Sequence, residues 1–184
     1  MLTIEFGTFP ILRTKRLVLR QLVPADAPDL FRLRAHEGTN LYLDRDVPKS
    51  VEEMEKMIAT ITETYNKNEG ITWAITLGNE NKLIGTAGFW RIDKTNHRAE
   101  IGYMLHPDHW QKGIITEALK AVLDHGFREI KFHSVEANLN PDNEASRKTI
   151  EKQGFVKEAH FKENYYHNGI FFDSLIYSKI APKD

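Results

Sequence analysis

Cysteine is absent from the 184 residues. Its absence excludes disulfides, thiolate metal sites and a cysteine nucleophile, so any sulfur chemistry must come from a bound molecule. An excess of one charge is absent as well. The 25 Lys and Arg face 26 Asp and Glu, a formal net charge of −1 with neutral histidines, and the two signs are interspersed. Binders of a polyphosphate backbone concentrate Lys and Arg on one face, so no nucleic acid partner is expected. No apolar run is long enough to span a bilayer, and Met1-Leu2-Thr3-Ile4-Glu5 lacks the basic start and long apolar stretch of an export signal. A cytoplasmic protein with no membrane partner is the expectation. Internal repeats, low-complexity tracts and long charge runs are also missing. What the chain does have is 41% hydrophobic content, enough to bury one substantial core, so a single domain over 1–184 is expected.

Hydrophobic periodicity sets out the elements. Arg16 to Val23 alternates apolar and polar residues like a half-buried strand, and Pro24-Ala25-Asp26 punctuates it before a short helix to about His36. Ser50 and Glu53 form a capping-box signature, after which Val51, Met54, Ile58, Ile61 and Tyr65 recur at helical spacing. Trp73 to Leu77, Leu83 to Arg91 and Arg98 to Leu105 read as strands of an antiparallel meander, separated by the turns Gly78 to Asn81 and Asp93 to Asn96. A loop ending at Gly113 opens a helix to about Phe127, with Ile115, Leu119, Val122 and Gly126 on one face. Ser134 to Asn138 is a short strand, and Asn143 caps a helix to Gln153 that Gly154 ends. Phe155 to Phe161 and Ile170 to Lys179 close the chain as strands joined through Tyr165 to Gly169. The fold class is therefore α+β or mixed α/β, one twisted and mostly antiparallel sheet of about six to seven strands with about four helices. Its edge strands leave a homo-oligomer open.

The chemistry-bearing stretch runs from Ala99 to Ala118, where a strand gives way to a loop that opens a helix. Free N–H groups and the positive dipole end of a helix form an anion site that suits a pyrophosphate. Gly113 permits close backbone approach and Lys112 adds charge. Taken alone, a glycine before a helix is more often a tight turn.

Ala99-Glu100-Ile101-Gly102-Tyr103, His106-Pro107, Trp110-Gln111-Lys112-Gly113 and Thr116-Glu117-Ala118-Leu119 together resemble the acetyl-CoA-binding core of the GNAT superfamily. Similarity extends to Arg16-Leu17-Val18-Leu19-Arg20, Gly85-Thr86-Ala87-Gly88-Phe89, Asn143-Glu144-Ala145-Ser146 and Gly154-Phe155, from about Leu12 to Tyr177. Within the superfamily, the chain is most similar to the Rim-type group, which acetylates ribosomal-protein N-termini. The resemblance implies a GNAT-like fold and acetyl-CoA as co-substrate, contacted by Met104, Leu105, Gln111, Lys112, Gly113, Ile114, Ile115, Thr116, Asn138, Asn143 and Ser146. One position departs: the superfamily usually places Gly or Ala two residues after the glycine matched by Gly113, and Ile115 stands there. Its side chain has to point into the protein if the backbone is to approach a pyrophosphate.

The resemblance also implies direct transfer to an amine in a ternary complex, a route with which the lack of cysteine agrees. An α-amine, with a reference pKa of about 7.7 to 8.0, is partly neutral at pH 7, whereas a lysine amine near 10.4 is not, so a base assists either. Glu100 is the candidate base, sharing a strand face with Gly102 and Met104. Its bland alternative is a solvated or salt-bridged strand carboxylate, with Arg98 a candidate partner. No tyrosine stands between Asn138 and Gln153 to protonate the leaving thiolate. Ser146 matches the Rim-type pattern there, its alternative being a first-turn partner of the cap. His106 and His109 are three apart but separated by Pro107, and no metal is expected. Trp73, Phe89, Trp90 and Tyr103 are core residues or pocket lining, and Tyr42, Asp44 and Arg45 match the region where Rim-like proteins admit the acceptor. That acceptor is a protein N-terminus or, alternatively, a small amine such as a polyamine or aminosugar, with Glu37, Asp44 and Asp46 near the entrance. A catalytically silent acetyl-CoA sensor is the rival from another class.

Overall fold

The structure is a computed structural model that describes residues 2–43, 45–78 and 80–183. Eight strands form one sheet in the order β1-β2-β3-β4-β5-β6-β8-β7. They are β1 (Leu12–Arg13), β2 (Leu17–Gln21), β3 (Ile71–Leu77), β4 (Gly85–Asp93), β5 (Arg98–Leu105), β6 (Ser134–Leu139), β7 (Val156–His167) and β8 (Ile170–Ile180). Every neighbouring pair is antiparallel except β5 and β6. The helices are α1 (Ala27–Ala35), α2 (Glu37–Asn40), α3 (Val51–Asn66), α4 (Ile114–Arg128) and α5 (Glu144–Lys152). None among the described residues is long and apolar enough to cross a membrane.

The sheet is covered on both faces. Leu17, Leu19, Trp73, Ile75, Phe89 and Ile101 belong to one buried cluster with Ala118, Leu119, Val122 and Leu123 of α4. Ala74, Leu83 and Met104 join Leu30, Leu33, Met54 and Ile58 of α1 and α3 in a second cluster. Helical spacing on α3 and α4 and alternation on the strands thus account for a three-layer arrangement. Trp73 and Phe89 are core residues, each 1% exposed or less, whereas Trp90 is 49% exposed.

Three details differ from the sequence expectation. The sheet gains β1, and the helices gain α2; at two and four residues both lie below the length at which periodicity registers. The last hairpin is longer than expected. Strands β7 and β8 run up to a two-residue turn at Asn168 and Gly169, both at positive φ (48° and 86°), as a type I′ turn requires. Tyr165 and Tyr166 are strand residues opposite Phe172 and Phe171, cross-strand aromatic pairs that extend the ladder. Finally, Ser50 accepts the Glu53 N–H, but Glu53 Oε2 accepts from the Lys49 N–H at 3.0 Å, one residue before the cap.

Helix α4 sits close to the sheet because Gly126 has no side chain: a Cβ there would lie 2.6 Å from the Phe89 ring. Overpacking at such a contact costs about 1–3 kcal/mol, more than the ~1 kcal/mol of helix propensity that alanine gains. Gly126→Val is expected to destabilise the protein by at least about 1 kcal/mol, measured as a lower urea midpoint at unchanged m-value.

Candidate active site

Strands β5 and β6 are hydrogen-bonded only where Arg98, Ala99 and Glu100 pair with Ser134, Val135 and Glu136. Beyond Glu100 they part, although β5 continues to Leu105 and β6 to Leu139. Strand β4 stays paired with β5 as far as Leu105, and the His106 N–H donates to the Ile84 carbonyl in the same register. Antiparallel ladders alternate, so the N–H groups of Met104 and Gly102 turn toward β4 and those of Ile101, Tyr103 and Leu105 toward the opening. The Leu105 carbonyl on that side accepts the Trp110 indole N–H at 2.7 Å. Leu105 therefore offers its N–H to the cleft, while Met104 packs its side chain against the α1–α3 cluster.

The cleft runs to the N-terminus of α4. Gly113 caps this helix in the left-handed region (φ 70°, ψ 9°) with no side-chain hydrogen bond, and the first intrahelical bond runs from the Glu117 N–H to the Gly113 carbonyl. The first-turn N–H groups of Ile114, Ile115 and Thr116 are thus the free donors of an uncapped helix end. Ile114 is buried and Ile115 packs against the main core, so the branched side chain leaves the main chain accessible, as the departure at that position requires. Gln111, also at positive φ (58°), is exposed, and Lys112 Nζ donates to the Asp108 carbonyl at 2.7 Å.

A carboxylate fixes this loop from outside. Glu117 accepts from Thr14 Oγ1 at 2.6 Å, the Arg16 N–H at 2.9 Å and Arg16 Nε at 2.7 Å, while Arg16 Nη1 donates to the Lys112 carbonyl at 2.8 Å. Arg20, within β2, which begins one residue after Arg16, grips Asp26 with two hydrogen bonds of 2.7 and 2.8 Å and so anchors the entry to α1. A groove of about 760 Å³ continues from Gly113 past Thr116, Lys120, Lys152, Gln153 and Lys179.

Glu100 is 8% exposed. Burial raises its carboxyl pKa above the ordinary value; the Arg91 guanidinium pulls it part of the way back, and the Glu136 carboxylate adds to the rise. Its partner is Arg91, with Nη1 2.9 Å from Oε2, and Arg98 is bound to Glu136 instead. The pairing depends on a register shift in β4 between Trp90 and Asp93 that places Arg91 at φ 45°; such a bulge re-aims a side chain and leaves no mark in the residue pattern.

Ser146 lies on the far side of the cleft, in the first turn of α5. Its N–H donates to Asn143 Oδ1 at 3.0 Å, as a cap would have it, and its Oγ lies 2.6 Å from the Tyr103 hydroxyl. Burial pushes the Tyr103 phenol up to about 12. Tyr103, an odd-numbered residue of β5, points to the face opposite Glu100, which alternation predicts; its nearness to α5 is set by the tertiary fold. Asn138 is exposed on β6, within the parted segment.

His106 and His109 lie in the loop that follows β5. His106 is buried, with Nδ1 3.3 Å from Asp108 Oδ2 and its ring 5.4 Å from that of His36; burial lowers the pKa of both His106 and His109. Across the cleft mouth, Tyr42 is half-buried, Arg45 Nη2 reaches Met104 Sδ at 3.7 Å and Asn40 Oδ1 at 3.2 Å, and Asp44 falls outside the described residues. Glu37 and Asp46 are exposed.

Comparison with known proteins agrees with this architecture. Residues 16–156 match the acetyltransferase (GNAT) domain, and the chain belongs to that family of N-acetyltransferases. It is 35% identical to the uncharacterized N-acetyltransferase YoaA of Bacillus subtilis (strain 168), an alignment covering 96% of this chain and 99% of the relative. Relatives with named acceptors are the ribosomal-protein-serine acetyltransferase of Escherichia coli (strain K12), 26% identical over 91% of this chain and 94% of that one, and the spermidine N(1)-acetyltransferase of Vibrio cholerae, 25% identical over 86% and 89%. Among solved structures, RimL, a ribosomal L7/L12 α-N-protein acetyltransferase in complex with coenzyme A, superposes with a TM-score of 0.84 at 25% identity, covering 93% of this chain and 98% of that one.

Removing the carboxylate that holds the loop should loosen it measurably. Glu117→Ala deletes the acceptor of three hydrogen bonds, two of them from the partly exposed Arg16, and is expected to cost about 1–2 kcal/mol of stability at pH 7. Chemical denaturation at pH 7 and in 0.5 M salt would register it, and a loss that vanished entirely with salt would assign the effect to charge alone.

Proposed function

We propose that the protein transfers an acetyl group from acetyl-CoA to the α-amine at the N-terminus of a protein or peptide, by direct attack within a ternary complex. The observation that supports this most is the parted β5–β6 segment leading to the uncapped N-terminus of α4. It offers a line of main-chain donors, ending in an anion site, of the kind that a pantetheine chain and its pyrophosphate require. Leu105 would donate to the pantetheine or to the thioester oxygen. The N–H groups of Ile114, Ile115 and Thr116 would meet the pyrophosphate, helped by the conformations of Gln111 and Gly113, and Asn138 and Asn143 would contact the opposite edge. Lys120 and Lys152 line the groove that continues from there. The co-substrate supplies a carbonyl already activated as a thioester, so the protein's main task is alignment.

Glu100 takes the proton that the attacking nitrogen gives up, directly or through one water. Its raised pKa makes it a stronger base than an exposed glutamate. As the carbon–sulfur bond breaks, Ser146 Oγ–H donates a hydrogen bond to the departing sulfur. For that the serine proton must be free, which follows when the Tyr103 hydroxyl donates to Ser146 Oγ. With a phenol pKa of about 12, Tyr103 holds its proton throughout and acts by orienting the serine.

A small amine is the second acceptor reading, supported by the similarity to a spermidine acetyltransferase at 25% identity. CoA release measured against free-N-terminus peptides, N-blocked lysine peptides, spermidine and an aminosugar separates the two; turnover with spermidine alone would replace the peptide assignment.

The role of Glu100 has a pH signature. A base must be deprotonated, so kcat/KM should fall on the acid side with a midpoint above the ordinary glutamate value, the direction of the shift. Glu100→Gln should lower kcat by about 10²-fold or more and abolish that acid limb. Arg91→Ala should move the limb to higher pH, because removing the cation leaves burial unopposed. An unchanged pH profile in both variants would remove Glu100 from the mechanism.

A further inference from the structure

Two arginines stand half-buried at the acceptor side of the cleft without a carboxylate partner among the described residues. Arg34 lies in the last turn of α1 and lines a pocket of about 280 Å³ with Asp46, Val47, Lys49, Glu53 and Met54. Its Nε is buried with no hydrogen-bond partner, and no described carboxylate comes within ion-pair distance of it. Among the described residues the Arg45 guanidinium reaches a sulfur and an amide oxygen, Met104 Sδ and Asn40 Oδ1. Burial lowers both guanidinium pKa values, Arg45 to about 10, and the Arg34 charge contributes to the second shift, so the two cations repel one another. Asp46 and Glu53 also line that pocket, Glu53 accepting the Lys49 N–H, but neither forms an ion pair with Arg34 or Arg45, and both guanidinium groups are unmatched among the described residues. Two desolvated cations without a counter-ion are unfavourable unless an anion arrives to pair with them.

We propose that Arg34 and Arg45 form a carboxylate-recognition site that selects acceptor peptides with an acidic side chain a few residues after the reacting N-terminus. The proposal rests on the acetyltransferase reading for the identity of the amine; the anion site itself rests on the geometry. Arg45 touches Met104, four residues along β5 from Glu100, a separation of roughly 13 Å at ~3.3 Å per residue. An extended peptide covers that distance in about four residues, which places the acidic side chain near its third to fifth position. The same charges oppose a polycation such as spermidine.

The test is calorimetric binding of free-N-terminus peptides that differ only in carrying Asp, Asn or Lys at one of positions two to five, together with spermidine. Wild type should bind the best-placed Asp peptide about tenfold or more tightly than its Asn counterpart, as a charge-assisted guanidinium pair would give, and the Lys peptide and spermidine more weakly still. Arg34→Gln and Arg45→Gln should erase the Asp-over-Asn difference, and Arg45→Lys should retain part of it, with thermal melts confirming folded variants. Equal binding of Asp, Asn and Lys peptides to wild type overturns the proposal, as does tighter binding of spermidine or a preference that survives in the double glutamine variant. Where a variant fails to fold, the wild-type comparison decides. Turnover assayed alongside separates the two readings: an acidic preference without acetyl transfer to any peptide keeps the anion site and sinks the acetyltransferase assignment, and transfer that ignores acidity does the reverse.

Discussion

Between Glu100 and Leu105, strand β5 has a sheet partner on one side only. Its ladder with β4 continues to the end of the strand, but the ladder with β6 stops after three residue pairs, leaving Ile101, Tyr103 and Leu105 with main-chain groups that no strand satisfies. Unpaired donors and acceptors inside a sheet are normally costly, and a fold that keeps them needs its rigidity from elsewhere. Here it comes from both faces: the α4 cluster against Ile101 and Leu105, and the α1–α3 cluster against Met104. The opening is thus an interruption of hydrogen bonding within a packed core, held to its shape without the ladder that would ordinarily define it.

The loop at the end of the opening is fixed by the same economy of contacts. Gly113 and Gln111 adopt left-handed conformations, which leave the helix end without a side-chain cap, and Glu117 one turn later ties the loop to Arg16. The cation that pairs with Glu117 is therefore also the group that holds the Lys112 carbonyl away from the free N–H groups. Arg16, just before β2, and Arg20, within it, separately secure the start of α4 and the entry to α1 through Glu117 and Asp26. That is a physical reason for the arginines of the Arg16-Leu17-Val18-Leu19-Arg20 motif to stand at both ends of it.

What could be read from the residues was what periodicity encodes. The bounds of β5 and the α3 and α4 patterns follow from alternation and from 3.6-residue spacing, and the class of fold followed from their order. The glycine before α4, the cap at Asn143 and the inward direction of Ile115 were local features with local causes, and they were legible. The Arg91 partner of Glu100 was not, because it depends on a bulge that shifts register by irregular backbone geometry rather than by composition. Nor was the Tyr103 contact with Ser146, which joins residues 43 positions apart across a gap that only the tertiary fold creates. Short elements such as β1 and α2 were missed because neither completes a period.

The two faces of β5 divide the chemistry between them. Even-numbered residues carry Glu100 and Met104 toward α1 and α3, where Arg45 meets Met104 and the acceptor would enter; odd-numbered Tyr103 reaches α5 and Ser146 on the other side. In the proposed reaction, a proton released by the incoming amine and a hydrogen bond offered to the leaving sulfur would thereby be handled on opposite sides of one strand, separated by its backbone. This separation keeps the raised carboxyl of Glu100 from sharing a proton network with the Tyr103–Ser146 pair, so each can be tuned by its own surroundings: Glu100 by burial opposed by Arg91, Tyr103 by burial that keeps its proton in place. An acidic acceptor group held at Arg34 and Arg45 would lie on the Glu100 side but about four residues away along the strand. At that distance its charge would raise the carboxyl pKa far less than a direct neighbour such as Glu136 does, so the proposed selection of acidic peptides would be compatible with Glu100 acting as the base.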